Sequence, residues 1–375
     1  MAFLPDHASI SPLGDRIQRD DQRPSCALDW DTRWNLRIVD ANAVHGEGLP
    51  RGALQAIDAP QMIDLSAVGA DLLPNSPIAR VRHGGKVAAF PLQVLAWHRA
   101  CNAELGGQPV LVLFCPLSDR VEAYSRTLNG QALHFSASGL VHRGASLFYD
   151  TETQSLWRLF DGKCIVGEYV GAQLERLPLL RGSWSEFQRQ YPQAQALSRQ
   201  TGFLRDYDRS PLPDYDRGSA AATLLDAPDR RLPALERVIA VQSPNELTVY
   251  PIAALENRRV YEDQRGADAF VVLWTPGTVS VLNHEVLANA RDVGTAAAFK
   301  RPAVNGRLLS LRPHPTEPQQ FVDAETQSSW NVFGAAVDGP LAGKALPAAS
   351  FETSFWFALA AARPQASPQP RLRAA

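Results

Sequence analysis

The segment "IARVRHGGKVAAFPLQVL" from Ile78 and the segment "VIAVQSPNELTVYPIAAL" from Val238 align without a gap at an offset of 160. The register pairs Val81 with Val241, Phe90 with Tyr250, Pro91 with Pro251 and Leu95 with Leu255, and it carries on to pair "LVLFCP" (Leu111 to Pro116) with "VVLWTP" (Val271 to Pro276). Further along, "YDTETQSLW" ending at Trp157 matches "VDAETQSSW" ending at Trp330 at an offset of 173. "GEYVG" from Gly167 then matches "GPLAG" from Gly339, and the spacing of Trp184 to Pro192 recurs as Trp356 to Pro364, both at an offset of 172. The order is kept and the offset drifts only as loop insertions would make it drift. Ordered self-similarity of this kind marks two like structural units. We therefore expect a tandem duplication with units at 76–200 and 235–365, packed as one pseudo-symmetric protein. Residues 1–75, rich in Pro and Asp, should wrap the first unit. Residues 201–234 read as a polar linker and 366–375 as a disordered tail.

Within each unit the pattern is strand, helix, strand and then several short strands. Residues 86–90 and 246–250 read as strands ended by a proline, which a strand tolerates at its edge or end. "LQVLAWHRACNAEL", 92–105, has apolar residues at 92, 95, 96 and 105 with no Gly or Pro, and predicts a helix stopped by Gly106 and Gly107. Residues 110–115 are uniformly apolar, as in a strand buried on both faces. "RVEAYSRTL", "QALHFSASG" and "SLFYDTE" follow as alternating strands between Gly and Asn turns. Ser183 with Glu186 three residues on is a capping box opening a helix near 182–191. The expected class is α+β, β-dominated, with mixed sheets and few helices.

The repeat also separates packing from chemistry. A residue kept in both copies serves the shared fold, whereas a residue of one copy is free to do something else. Pro91, Asp150, Glu152, Thr153, Ser155, Trp157, Gly167, Gly171 and Trp184 are kept in both. The hydroxyls and carboxylates of "DTETQS" are thereby read as turn and capping groups. His98, Cys101 and Cys115 belong to the first copy alone, with Arg258, Tyr261 and Thr275 at the matching places. On the expected helix His98 and Cys101 are spaced i, i+3 and share a face, and Cys115 ends the strand that follows.

Three readings of this trio stand side by side. One is a site for a soft or borderline metal, a copper or zinc ion held by His98, Cys101 and Cys115, in an enzyme of redox or group-transfer type or in a non-catalytic metal carrier. A second is a metal-free catalytic thiol, Cys115, activated by His98. In the third, both cysteines are small core residues and His98 makes a polar contact. His134 and His142 are weaker candidates for a further ligand or an acid or base. Cys164 falls where the second copy has Ala335 or Ala336 and reads as core. Tyr207 and Tyr215, in the linker, are candidates to line a pocket between the units for a small-molecule or peptide substrate.

Charge and length narrow the remaining classes. With 37 basic and 39 acidic residues and no like-charged run, nothing points to a nucleic-acid partner. The longest apolar runs are far short of the ~20 residues that span a bilayer. Asp6, His7, Asp15 and Arg16 stand where a signal peptide needs its apolar core. Four scattered cysteines do not make a disulfide framework for 375 residues. These features lead us to expect a cytoplasmic protein with reduced thiols. The chain has no G-x-G-x-x-G after a strand, no P-loop, no H-E-x-x-H and no C-x-x-C.

"VAAFPLQVLAWHRACN", "VLVLFCPLSDRVEAYSR", "FSASGLVHRGASLFYDTETQSLW" and "TGFLRDYDRSPLPDY", with "GLPRGALQAIDAP" near Gly48, resemble in order the signature segments of a bacterial and archaeal family known as domain of unknown function 3179. In that family the helix reads His-Glu-Ile-Val-Asn-Asp and the strand end Cys-Pro-Leu-Cys. His98 and Asn102 match the first motif, and Cys115, Pro116 and Leu117 the second. The chain departs from the pattern at Ser118, where the second cysteine is expected, and at Cys101, where the family has an aliphatic residue. The resemblance thus implies a site at His98 and Cys115, with two alternatives: Cys101 replaces the missing thiol from the helix side, or this member has lost the metal or redox function of the family.

Overall fold

In the first half, Pro77–His83 and Lys86–Pro91 pair antiparallel from Ile78 opposite Pro91 to His83 opposite Lys86. Gly84 and Gly85, both at positive φ, form the two-residue turn that matches strand twist. A helix, Leu92–His98, follows at once. The expected helix over 92–105 is corrected here: it ends seven residues early, because Arg99 takes the left-handed conformation with φ 61 and its N–H closes on Leu95 O. Residues Ala100–Leu105 are a strand, paired along its length with Gln108–Cys115. Gly106 and Gly107, at φ 62 and 73, therefore turn a hairpin rather than stop a helix.

The computed structural model describes residues 17–18, 20–218, 224–225, 227–266, 268–304 and 306–369. Its architecture is β-dominated with a few short helices, as the patterning predicts. In the first half one sheet has the strand order Leu179–Ser183, Pro77–His83, Lys86–Pro91, Gln195–Leu197, extended at the edge by Met62–Asp64. The second half has Ser350–Phe355, Arg237–Gln242, Leu247–Pro251, Ser367–Pro368 in the matching order. Each half adds a three-stranded sheet, centred on Gln108–Cys115 or on Asp268–Thr275, and an antiparallel meander containing the "ETQS" turn.

The halves embrace reciprocally. Arg120–Ser125 of the first lies against Ser350–Phe355 of the second, while Thr295–Lys300 of the second lies against Leu179–Ser183 of the first. One apolar cluster joins Ile78, Leu180, Trp184 and Phe187 to Phe299, Trp330 and Phe333. Residues of the amino-terminal segment lie on the first half: Val44–Gly46 pairs with Phe135–His142, and Ile57 bridges Cys101. The expected disordered tail is corrected in part. Ala366 is buried and Ser367–Pro368 pairs in parallel with Thr248 and Val249. Residues 1–16 and 19 of the expected wrapping segment, 219–223 and 226 of the expected linker and 370–375 of the tail lie outside the described residues. Among the described residues no helix is long and apolar enough to cross a membrane.

The shared turn is built alike in the two halves. The buried Asp150 carboxylate accepts from Thr153 N and Thr153 Oγ1, both at 2.7 Å, and from Trp157 Nε1 at 2.8 Å. Asp323 accepts from Thr326 Oγ1 and Trp330 Nε1, both at 2.9 Å. Gly167 sits at φ +108 against Ser155, where a Cβ would lie 2.5 Å from Ser155 Oγ, so only glycine fits. The capping box is present, with Ser183 and Glu186 bonding each other's backbone. The turn residues and Gly167 serve the fold, as their recurrence predicts, whereas the cap belongs to the first half alone, Phe355 standing at the matching helix start. Asp150→Ala strands a buried Trp N–H and a turn, and we expect a loss of about 3 kcal/mol in chemical denaturation. An unchanged midpoint would show that the turn does not carry this burden.

Candidate functional site

The central strand Gln108–Cys115 is hydrogen-bonded on both sides, to Ala100–Leu105 and to Arg120–Ser125. Its pleat sends alternate side chains to opposite faces. Cys101 stands opposite Val112 and so shares its face, whereas Cys115, three residues on, points the other way. Cys101 is fully buried beside Asp58 and Arg126, and burial pushes its thiol well up. The i, i+3 helical relation between His98 and Cys101 is lost because Cys101 is not on the helix. The structure does not bring His98, Cys101 and Cys115 together. Among the described residues there is no group of three or more His, Cys, Asp and Glu side chains placed to hold a metal.

His98, at the last turn of its helix, is engaged at both nitrogens. Nδ1 lies 2.7 Å from Gln55 O and Nε2 2.6 Å from Tyr207 Oη. A carbonyl only accepts, so Nδ1 carries the proton and Nε2 accepts from the phenol. Thr201 Oγ1 continues the chain at 2.5 Å from Tyr207 Oη, and the Phe203 ring packs on the imidazole at 5.0 Å. Burial lowers the His98 pKa, helped by Arg205, which keeps the ring neutral. His98 has no nitrogen left for Cys115.

Cys115 has other partners. Its S–H donates to Ser146 Oγ at 3.3 Å, and its sulfur accepts from Ser146 N at 3.4 Å. Ser146 Oγ in turn donates to Glu47 Oε2 at 3.1 Å. Arg99 Nη1 clamps both Glu47 oxygens, at 2.6 and 2.7 Å, and reaches Ser146 Oγ at 3.3 Å. The ion pair is buried, with side chains 4% and 3% exposed. Tyr215 donates to Leu117 O at 2.9 Å, and burial, with Cys115 nearby, pushes its phenol well up. Cys115 itself is fully buried, and Ser146 separates it from a small recess that His142, Phe160 and Arg363 also line.

Sequence reasoning finds Cys115 and misses Glu47, Arg99 and Ser146. Arg99 recurs as Arg259 and is set aside by the repeat filter. Glu47 adjoins "GLPRGAL", and that segment's place among the signature motifs is the one signal toward it. Tyr207 packs on His98, and Tyr215 packs on the Cys115 strand end and on Phe355 of the second half. His134 is half-exposed and paired with Glu152 at 3.1 Å. Cys164 is buried, as expected. Asn102 joins segments, donating to Asp58 Oδ1 and Phe135 O and accepting from Phe135 N.

Fold and site together define a β-dominated α+β protein whose first half gathers a thiol, a hydroxyl and a buried ion pair. A family model described as "Protein of unknown function (DUF3179)" matches residues 51–366, and the chain belongs to that family. No curated protein and no solved structure matches it.

His142 gives the first half an acid-sensitive point. It is buried, its Nδ1 has no hydrogen-bond partner, and burial, with Arg143 and Arg158 nearby, pulls its pKa down to about 3. Below its ordinary pKa of about 6.5 the unfolded chain takes up a proton that the folded chain refuses. Stability contributed by neutral His142 is therefore full above that value and falls as the pH drops toward 3, by up to about 1.4 kcal/mol per pH unit. In denaturation curves between pH 7 and pH 4, His142→Leu should flatten the decline by about one proton's worth of slope. Parallel wild-type and variant slopes would contradict this.

Proposed function

We propose that the protein acts through Cys115 as a metal-free thiol nucleophile of group-transfer type, with a small molecule or peptide as its electrophile. The observation that carries this reading is the hydrogen-bond chain from Cys115 S–H through Ser146 Oγ to Glu47 Oε2. In the step it supports, the thiol proton passes to Ser146 Oγ as the Ser146 proton passes to Glu47. Arg99, freed from the neutralised carboxyl, stays within 3.3 Å of Ser146 Oγ, the group bonded to the sulfur, and a cation near a thiolate favours it. The proton thus has an acceptor, and the charge stays balanced inside a buried site. This role replaces His98 as the expected activating base, because both imidazole nitrogens are bound elsewhere. The reading supposes a reducing compartment, the cytoplasm, where the thiol stays available.

We further infer that the halves arose by tandem duplication. The matching strand orders and the twin Asp–Thr–Trp turns support it. On this view the second half retains the scaffold with Thr275 in place of the thiol.

The test uses a small thiol reagent, methyl methanethiosulfonate, on the native full chain, with labelling mapped by peptide mass because Cys26 is also partly accessible. Cys115 should be modified without unfolding. Ser146→Ala and Glu47→Gln should each slow that reaction at neutral pH by about tenfold, although both substitutions loosen packing around the sulfur. Unreactive wild-type Cys115, or variants as fast as wild type, would sink the proposal. Elemental analysis of untagged protein separates this reading from the alternative of a copper or zinc site, and should find no stoichiometric metal. Stoichiometric metal that disappears in Cys115→Ala would put the metal reading in its place.

A further inference from the structure

Between the halves lies a cleft of about 640 Å³, walled by Leu179–Ser183 and its neighbours on one side and by residues 343–353 on the other. This volume suits a small organic ligand. Arg80, Arg82, Arg176, Arg181 and Lys344 line it against only two carboxylates, Glu122 and Glu352. Both carboxylates are already committed, Glu122 to Arg120 and Arg176, and Glu352 to Arg120 and Arg363. Arg181 is paired with Asp119. Arg80, Arg82 and Lys344 have no ion-pair partner among the described residues.

Arg80 is the unusual member. It is only 7% exposed. Nη1 donates to Tyr191 Oη at 3.1 Å, and Nε is buried without a partner. Its guanidinium sits 5.8 Å from the ring centroids of Tyr191 in the first half and Phe333 in the second. Burying a guanidinium without an anion is costly, and ring faces offset only part of that cost. Burial also works against the charge, pulling the Arg80 pKa down. The repeat filter marks the same residue: Arg80 pairs with Leu180, whereas the matching place in the second half has Ala240 opposite Glu352. The fold builds this strand pair without an arginine, so the arginine answers another need.

We propose that this cleft binds a small organic anion, its carboxylate or phosphate group held by Arg80 with Arg82 and Lys344, and its apolar body set against Phe299, Phe333 and Phe351. The site is separate from the Cys115 cluster, since Glu47, Arg99, Cys115 and Ser146 do not line it.

Calorimetric titration of the full chain with benzoate, decanoate, phenyl phosphate and inorganic phosphate tests this. At least one organic anion should bind saturably, more tightly than inorganic phosphate, and less tightly as salt rises. The carboxylate and phosphate arms distinguish the two headgroups. Arg80→Met keeps the volume and removes the charge, so it should weaken binding by at least about tenfold while leaving the ligand-free protein as stable or more so. Should that variant fail to fold, the exposed pair Arg82→Ala and Lys344→Ala should weaken binding by about threefold through lost charge alone. No binding by any of the four probes, unaltered affinity in Arg80→Met, or unaltered affinity in the double variant would each overturn the proposal.

Discussion

The pleat of the strand Gln108–Cys115 governs what the first half can do. It is held on both edges by continuous antiparallel pairing, so it has no freedom to rotate one residue relative to its neighbours. Its alternation turns Val112 and the facing Cys101 to one side of the sheet and Cys115 to the other. A slip of one residue would exchange the two sets and bury charged partners against apolar ones. The separation of the two thiols is thus a property of the sheet, and no side-chain rotation removes it. The partners of Cys115 must come from segments that pack on its own face: the strand Ala145–Asp150 holding Ser146, the helix end holding Arg99 and the amino-terminal segment holding Glu47.

How much of this was legible depended on the range of the interaction. The "DTETQS" turn and the Ser183–Glu186 cap were readable because their bonds close within a few residues, and both halves build the turn with the same Asp–Thr and Asp–Trp bonds. The buried strand was readable from its apolar run. The helix end at His98 was not, because the left-handed residue that closes it is Arg99 and not a glycine. The two glycines that invited a helix stop instead turn a hairpin. From that one misplaced boundary came the shared helical face of His98 and Cys101. Glu47 was illegible for another reason: more than fifty residues separate it from Arg99, and only tertiary packing joins them. Arg80 needed the other half of the chain before its surroundings existed at all.

The halves share a scaffold and differ in polar content. Each has the strand pair, a short helix followed by a left-handed arginine, Arg99 or Arg259, whose N–H reaches Leu95 O or Leu255 O, and the meander with its Asp–Trp bond. Arg259 donates to the carbonyl of Pro318, whereas Arg99 meets a carboxylate carried in by the amino-terminal segment. The same backbone device thereby holds a neutral contact in one half and a buried ion pair in the other. Wrapping by the amino-terminal segment, and not the scaffold that the halves share, makes the first half chemically distinct.

Two arginines buried to nearly the same degree then illustrate opposite solutions to one electrostatic problem. Arg99 is 4% exposed and has its carboxylate; its charge is matched in place, and removing either partner would leave the other stranded at a cost of about 3–5 kcal/mol. Arg80 is 7% exposed and has only a phenol and two ring faces. A folded chain that merely filled space there would do as well with a leucine or methionine. An unmatched guanidinium at the wall of a cleft is a standing demand for an anion, and the nearest carboxylates, Glu122 and Glu352, are each held by two other arginines. The anion that answers Arg80 therefore has to come from outside the described residues, as a bound ligand would.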